Sequence, residues 1–402
     1  MSNSFEEIVD CGSNPCALPV IAEQPQYRPN VWQVSFVQDC NLRCGYCSTA
    51  FGRCGANPAV MQPELWAPLC EMVAQMSRGV SHVRLEFGTG ETFLHFDGAM
   101  RFLDCFRCCT DALGIEVDPI VVTNGTTATA EQLQICLEKK ISLCFSIDGP
   151  RISHDAFRKF PGGRPTHQIA LKNWRHYRQL VAGMVRPRCT TSSTVAGRTR
   201  LIDVAQFWRE HGVERFRTSI VEPSRHLGSP AFDDLEHWRR QYLKDLESIA
   251  LGEAKRLQGR DFEAEYRGPH EIVDAWRRLK RGASYGNCAA GISTIAVDAG
   301  GRLYPCQAFI GFPEFSIGNI HSGLHSGNLA SFREQQLRAR AVCNGCWARF
   351  LCSGGCSAAA PHSGVLLDVP GGCEFSRARV EIAVRSYLYW CGGASGNGDH
   401  AK

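Results

Sequence analysis

The sequence predicts an α/β protein: six β-then-α units forming a parallel sheet, open or closed into a partial barrel, followed by a small cysteine-rich domain. Three observations lead there. From residue 31, short β-rich runs alternate with amphipathic stretches of helical length. After residue 287 the texture changes to Gly and Cys in short segments, and a region so poor in long apolar runs needs metal to hold it together. The chain also carries 21 cysteines in 402 residues without a secretory signal, and cytosolic thiols rarely form structural disulfides.

The strands are expected at 31–38 (VWQVSFVQ), 82–87 (HVRLEF), 117–123, 142–147, 187–195 and 214–221 (ERFRTSIV). Helices are expected near 62–77, 96–113, 129–139, 166–182 and 200–211, each returning the chain to the start of the next strand. In such an architecture the functional loops follow the strand C-termini. Residues 1–30 read as a tail, 31–229 as the barrel, 230–286 as a charged helical connector, 287–378 as the cysteine-rich domain, and 379–402 as the end of a C-terminal helix and a tail.

The remaining composition, 44% hydrophobic and 21% charged, is ordinary for a globular protein. No apolar run approaches the roughly 20 residues that cross a bilayer, and no basic-then-apolar signal opens the chain, which points to the cytoplasm and to no membrane partner. A formal charge of +4 without blocks of like charge gives no reason to expect nucleic acid. Metal binding is then the favoured use of the cysteines.

The first constellation, CNLRCGYC, places Cys40, Cys44 and Cys47 directly after the first strand. Three thiolates on one short loop hold three irons of a cubane and leave the fourth open for chemistry. A structural zinc site is the alternative, with Cys54 as fourth ligand. The spacing CxxxCxxC with an aromatic, Tyr46, before the last Cys resembles the signature of the radical S-adenosylmethionine (SAM) superfamily. FGTGET at 87–92 resembles that family's glycine-rich motif ending in Glu, with Thr89 and Thr92 where Gly and Pro are commoner, and VTNGT (122–126) and SIDGPRISHDAFR (146–158) resemble its later strand motifs. The resemblance implies a partial (β/α)6 barrel and SAM contacts from Tyr46, Gly90, Glu91, Asn124, Ser146, Asp148 and Arg158, with Glu91 on the amino group and Arg158 on the carboxylate.

The second constellation is Cys288, Gly301 and Cys306, then Cys343, Cys346, Cys352 and Cys356, then Cys373. It resembles the seven-cysteine SPASM domain of radical SAM enzymes that modify peptides and proteins; a pair of zinc sites is the plainer reading. By that resemblance Cys343, Cys346, Cys352 and Cys373 hold an outer auxiliary cluster and Cys288, Cys306 and Cys356 an inner one, making three 4Fe-4S clusters. The stretch RGASYGNC (281–288) lacks the further cysteine that fully ligated relatives carry, so an open iron or a non-cysteine ligand is expected at the inner cluster, with water, Cys391 or a nearby carboxylate as the plainer way to fill the position. Cys70, Cys105, Cys136 and Cys144 fall on apolar positions and read as small core residues; Cys11, Cys16, Cys108 and Cys109 receive no role.

Within that family the segment LYPCQAFIGFPEFSIGNI resembles maturases of ribosomally made peptides, which form thioether or carbon–carbon cross-links. Anaerobic sulfatase maturases, which make formylglycine, are the alternative together with other peptide oxidation or epimerisation. They carry an Asp as base where Gln307 stands, and an amide does not accept a proton at useful pH. The sequence singles out no catalytic base. The expected partners are a precursor peptide or protein, a flavodoxin- or ferredoxin-type electron donor and, because 30 residues are too few for a peptide-recognition domain, a separate leader-recognition protein or the barrel and SPASM surfaces.

Overall fold

The computed structural model describes residues 28–54, 57–220, 234–282, 288–352, 354–356, 358 and 372–394. Six parallel strands form its centre: β1 (Val31–Val34), β2 (His82–Phe87), β3 (Glu116–Thr123), β4 (Ser142–Ser146), β5 (Cys189–Val195) and β6 (Arg215–Ile220), paired in that order. Alternation writes the burial. In β2, Val83, Leu85 and Phe87 face the core while His82, Arg84 and Glu86 do not.

Helices α1 (Trp66–Met76), α2 (Phe96–Asp111), α3 (Ala130–Glu138), α4 (Arg151–Phe157), α5 (His167–Leu180) and α6 (Leu201–Glu210) return the chain between or after these strands. Helix α3 starts on a capping box, Thr129 accepting from Gln132 N–H at 3.2 Å while Gln132 Oε1 accepts from Thr129 N–H at 3.0 Å. The expected strand 31–38 ends early: β1 stops at Val34, and Val37–Gln38 pairs instead with Ala59–Val60. Five consecutive buried residues there, Val34 to Gln38, break the alternation a single strand requires.

The cysteine-rich region extends the same sheet. Strand β8 (Thr294–Val297) pairs parallel with the free side of β1, and β9 (Arg302–Tyr304), β10 (Gly318–Asn319) and β11 (Gly323–Leu324) continue outward antiparallel. On the far side β7 (Gly268–Pro269) closes the order β11-β10-β9-β8-β1-β2-β3-β4-β5-β6-β7. The ladder is linear, an open sheet, which is the partial barrel the sequence predicts.

Helices α7 (Leu235–Arg256) and α9 (His270–Arg281), joined through the short α8 (Phe262–Glu265), pack against α12 (Gly372–Ala394). Trp276 of α9 is the centre of that packing: it is fully buried, its Nε1 donates to Ala383 O and Ser386 Oγ at 3.1 Å each, and its ring meets Phe262, Tyr266 and Trp390. Connector and C-terminal helix thus form one layer, and α12 runs unbroken through residue 378. Helices α10 (Ser326–Ala339) and α11 (Arg349–Cys352) carry the rest of the C-terminal region.

Candidate active site

The motif residues sit at the C-terminal ends of the parallel strands. The loop after β1 carries Cys40, Cys44 and Cys47 and is pinned to the end of α4, Arg43 N–H donating to Lys159 O at 2.8 Å and Gly45 N–H to Phe157 O at 3.0 Å. The sulfurs already accept hydrogen bonds: Leu42 N–H lies 3.4 Å from Cys40 Sγ, Phe51 N–H 3.1 Å from Cys47 Sγ, and Asn124 Nδ2 3.6 Å from Cys40 Sγ. Donors aimed at sulfur are one means of setting a cluster's potential. Burial, with the charge of Glu91 second, pushes the Cys40 thiol up to about 12, and burial, eased by Arg158, takes Cys44 up to about 11. A metal arriving there displaces protons from thiols.

Beside this loop runs the glycine-rich turn after β2. A Cβ on Gly90 would stand 2.1 Å from Val37 O and 2.5 Å from Asp39 O, so the turn and the cysteine loop approach only because residue 90 is glycine. Thr89 takes φ +82°, a region that costs a β-branched residue energy and stores strain at the turn. Glu91 is buried; its oxygens accept from Asn124 N–H (2.7 Å), Thr123 Oγ1 (2.8 Å) and Phe93 N–H (3.2 Å). Burial pushes its carboxyl up to about 7 against those hydrogen bonds.

Asp148, at the turn after β4, holds a second knot. Its Oδ2 accepts from Tyr46 Oη and, at 3.0 Å, from Arg158 Nε, while Oδ1 accepts from Thr194 N–H at 2.8 Å. Arg158 stacks over the Tyr46 ring, 5.4 Å from its centroid. Although burial opposes its charge, the Asp148 carboxylate holds the Arg158 guanidinium well above its ordinary value. Tyr46, Asp148 and Arg158, expected separately as SAM contacts, are therefore bonded to one another, and Asp148 is enclosed at 1% exposure. Tyr46, Gly90, Glu91, Asn124, Ser146 and Arg158 line the cavity, whereas Asp148 stands behind it.

That cavity, about 480 Å³, is lined by Cys40, Cys44 and Cys47 on the barrel side and by Gln307, Ala308, Ile310, Phe312 and Cys356 on the C-terminal side. It is of the size that holds a ligand like SAM. The sequence reading did not single out Thr194, Ser219 and Phe312, which line it; the only signal for the first two was their place near strand ends. Gln307 lies over the glycine-rich turn, since a Cβ on Gly88 would meet its Oε1 at 2.7 Å, and its N–H donates to Gln33 Oε1 at 2.9 Å.

The C-terminal cysteines gather in two groups. Burial raises the Cys343 thiol, and Cys352, Cys346 and Cys373 add to it as near neighbours. Burial likewise takes Cys306 up to about 12, with Cys356 and Cys288 among its neighbours. Cys391 lies elsewhere, beside Tyr387 on α12, whereas buried Cys54 shares a small apolar cluster with Cys288 and Cys306, a placement the sequence did not signal. The segment 283–287 before Cys288 and the cysteines at 11 and 16 lie outside the described residues. Among the described residues only Cys70, Cys105 and Cys109 bring three metal-donor atoms within 4.8 Å of one another. In the other constellations no three donor atoms meet that limit, and three thiols on one short loop are a donor set that fits a cubane cluster.

No protein-family model matches the chain. The serine-type anaerobic sulfatase-maturating enzyme of Bacteroides thetaiotaomicron (strain VPI-5482) is 25% identical over 355 residues, which span 79% of this chain and 80% of that enzyme. The similarity to that enzyme thus runs along most of both chains. Among solved structures the chain resembles native anSMEcpe with bound AdoMet, that is SAM, at TM-score 0.72 and 16% identity over 90% of this chain and 98% of that one. It also resembles Streptococcus suis SuiB bound to S-adenosylmethionine, at TM-score 0.56 and 17% identity over 85% and 76%. SuiB is also known bound to its precursor peptide SuiA, with TM-score 0.55 and 18% identity over 85% and 74%. These matches show a shared fold. Among the described residues no helix is long and apolar enough to cross a membrane.

Proposed function

We propose that this chain is a radical SAM peptide maturase that binds SAM and three 4Fe-4S clusters, removes hydrogen from an unactivated carbon of a ribosomally made peptide, and closes a thioether or carbon–carbon cross-link. One observation carries the reading: a single cavity is lined by the three thiols after β1, by Glu91, Asn124, Ser146 and Arg158, and by Gln307 and Cys356 of the C-terminal region. Bound there, SAM and a reduced cluster would supply a 5'-deoxyadenosyl radical. The chain's own residues bind and orient: Cys40, Cys44 and Cys47 hold iron, Glu91 accepts from the SAM amine, and Arg158, kept charged by Asp148, faces its carboxylate. Cys288, Cys306 and Cys356 would hold the inner auxiliary cluster and Cys343, Cys346, Cys352 and Cys373 the outer one. A flavodoxin- or ferredoxin-type protein would deliver electrons in the cytoplasm.

Cross-linking is favoured because the described cavity lining carries Glu91 as its sole carboxylate, and that carboxylate is the one assigned to the SAM amine. A hydroxyl-to-aldehyde oxidation needs a proton acceptor beside the substrate, and Gln307 is none. The second reading, formylglycine formation, draws on the sulfatase-maturating relative and on the fuller match to anSMEcpe.

Co-expression with small open reading frames encoded beside the gene, followed by tandem mass spectrometry, separates the two. A product lighter by two hydrogens, resistant to thiol alkylation or linked between two residues, is expected. The same mass loss at a serine, or a larger loss at a cysteine whose sulfur leaves and is replaced by oxygen, with a carbonyl that a hydrazine traps, would establish formylglycine instead, and deuterium uptake without mass loss would establish epimerisation.

A further inference from the structure

Three cysteines on α1 and α2 lie outside the site described above. Cys70 is buried in α1, and Cys105 and Cys109, half-buried, stand four residues apart on α2 and so on one face. Cys70 Sγ and Cys105 Sγ are 3.8 Å apart, and all three sulfurs lie within 4.8 Å of one another. Tetrahedral zinc with bonds of about 2.3 Å sets neighbouring sulfurs about 3.8 Å apart. A spacing of four residues is also how one helix offers two ligands to one metal.

We propose that Cys70, Cys105 and Cys109 form a three-thiolate zinc site that ties α1 to α2, with water in the fourth position. The trio packs against the main apolar core, where a large net charge is costly. Zinc with three thiolates leaves one negative charge where monovalent copper would leave two, so the dication suits the place better. Zinc binds cysteine as thiolate, so three ligating cysteines give up three protons to one ion, balancing the exchange. The half-buried flank of Cys105 and Cys109 gives the ion its path and the fourth ligand its room.

The test uses the full chain with its iron and sulfide reconstituted anaerobically, loaded with zinc alone, passed over a chelating resin, and measured by metal analysis and zinc K-edge absorption, to which iron clusters do not contribute. One zinc retained per chain with three sulfur neighbours at about 2.3 Å, at unchanged iron content, is expected. Cys109→Ser should weaken zinc binding by at least the roughly 10–100-fold that follows loss of a supporting partner. Cys105→Ser with Cys109→Ser should abolish it at wild-type iron content. Zinc lost from the wild type on the resin, or kept by the double variant, overturns the proposal. Should the double variant fail to fold, Cys109→Ser decides alone, because an undiminished affinity in that variant overturns it equally.

Discussion

At the scale of single residues, the decisive groups are two buried carboxylates with different partners. Glu91 accepts three hydrogen bonds, and Glu91→Gln puts an N–H against one of those donors, which should cost about 1–3 kcal/mol and weaken SAM binding without loss of iron. Its folded pKa of about 7 lies above the ordinary carboxyl value, so the native state binds the extra proton and Glu91 loses stability for the chain as pH rises from about 5 to about 8. Thermal melts across that range should therefore show a larger deficit for Glu91→Gln at pH about 5 than at about 8; an equal deficit contradicts the raised value. Arg158→Ala does more than remove a SAM contact, since it strips Asp148 of its cation inside the protein. About 3–5 kcal/mol of stability should go with it, and urea unfolding that shows no loss would rule out this pairing. Both residues were legible in the sequence through their motifs. Their bonds to each other's neighbours were not, because partners 10 to 102 positions apart, as in Arg158–Asp148 and Tyr46–Asp148, meet only after the strands align.

At the scale of elements, alternation and helical periodicity located the six barrel strands and five of the returning helices, because each buries a regular face. What escaped was set by contacts between distant segments: the break at Ser35 and Phe36, the short α4, and above all β8 pairing with β1 across more than 250 residues of chain. The junction of α9 with α12 offers the clearest test at this scale. Trp276→Ala removes a fully buried ring and two hydrogen bonds, at a cost of about 3–5 kcal/mol. Because α12 carries Cys373 in its first turn, loosening it should also cost the outer cluster, lowering iron from about 12 to about 8 atoms per chain. A variant that melts lower yet keeps all its iron would show that the cysteines hold their cluster independently of the helix.

At the scale of the whole molecule, one open sheet carries both the thiols after β1 and, through β8 and β9, the segment that brings Gln307 and Ala308 over the same cavity. The cysteine spacing announced both ends of that arrangement, whereas the sheet continuity that joins them depends on register and left no mark on the sequence. Gly311 shows how closely the halves fit: at φ +91° a Cβ there would stand 2.2 Å from Cys54 O, so Gly311→Ala should push the C-terminal segment off the cysteine loop and lower SAM affinity. Equilibrium binding of SAM to that variant at wild-type strength would deny the coupling. The central claim, that the three thiols after β1 generate a radical from SAM, rests most directly on 5'-deoxyadenosine release by the reduced, iron-loaded protein under anaerobic conditions. The account predicts release from the wild type and none from the Cys40→Ala, Cys44→Ala, Cys47→Ala variant, which should still keep about eight irons; undiminished release from that variant, or none from a wild type holding all its iron, would contradict it.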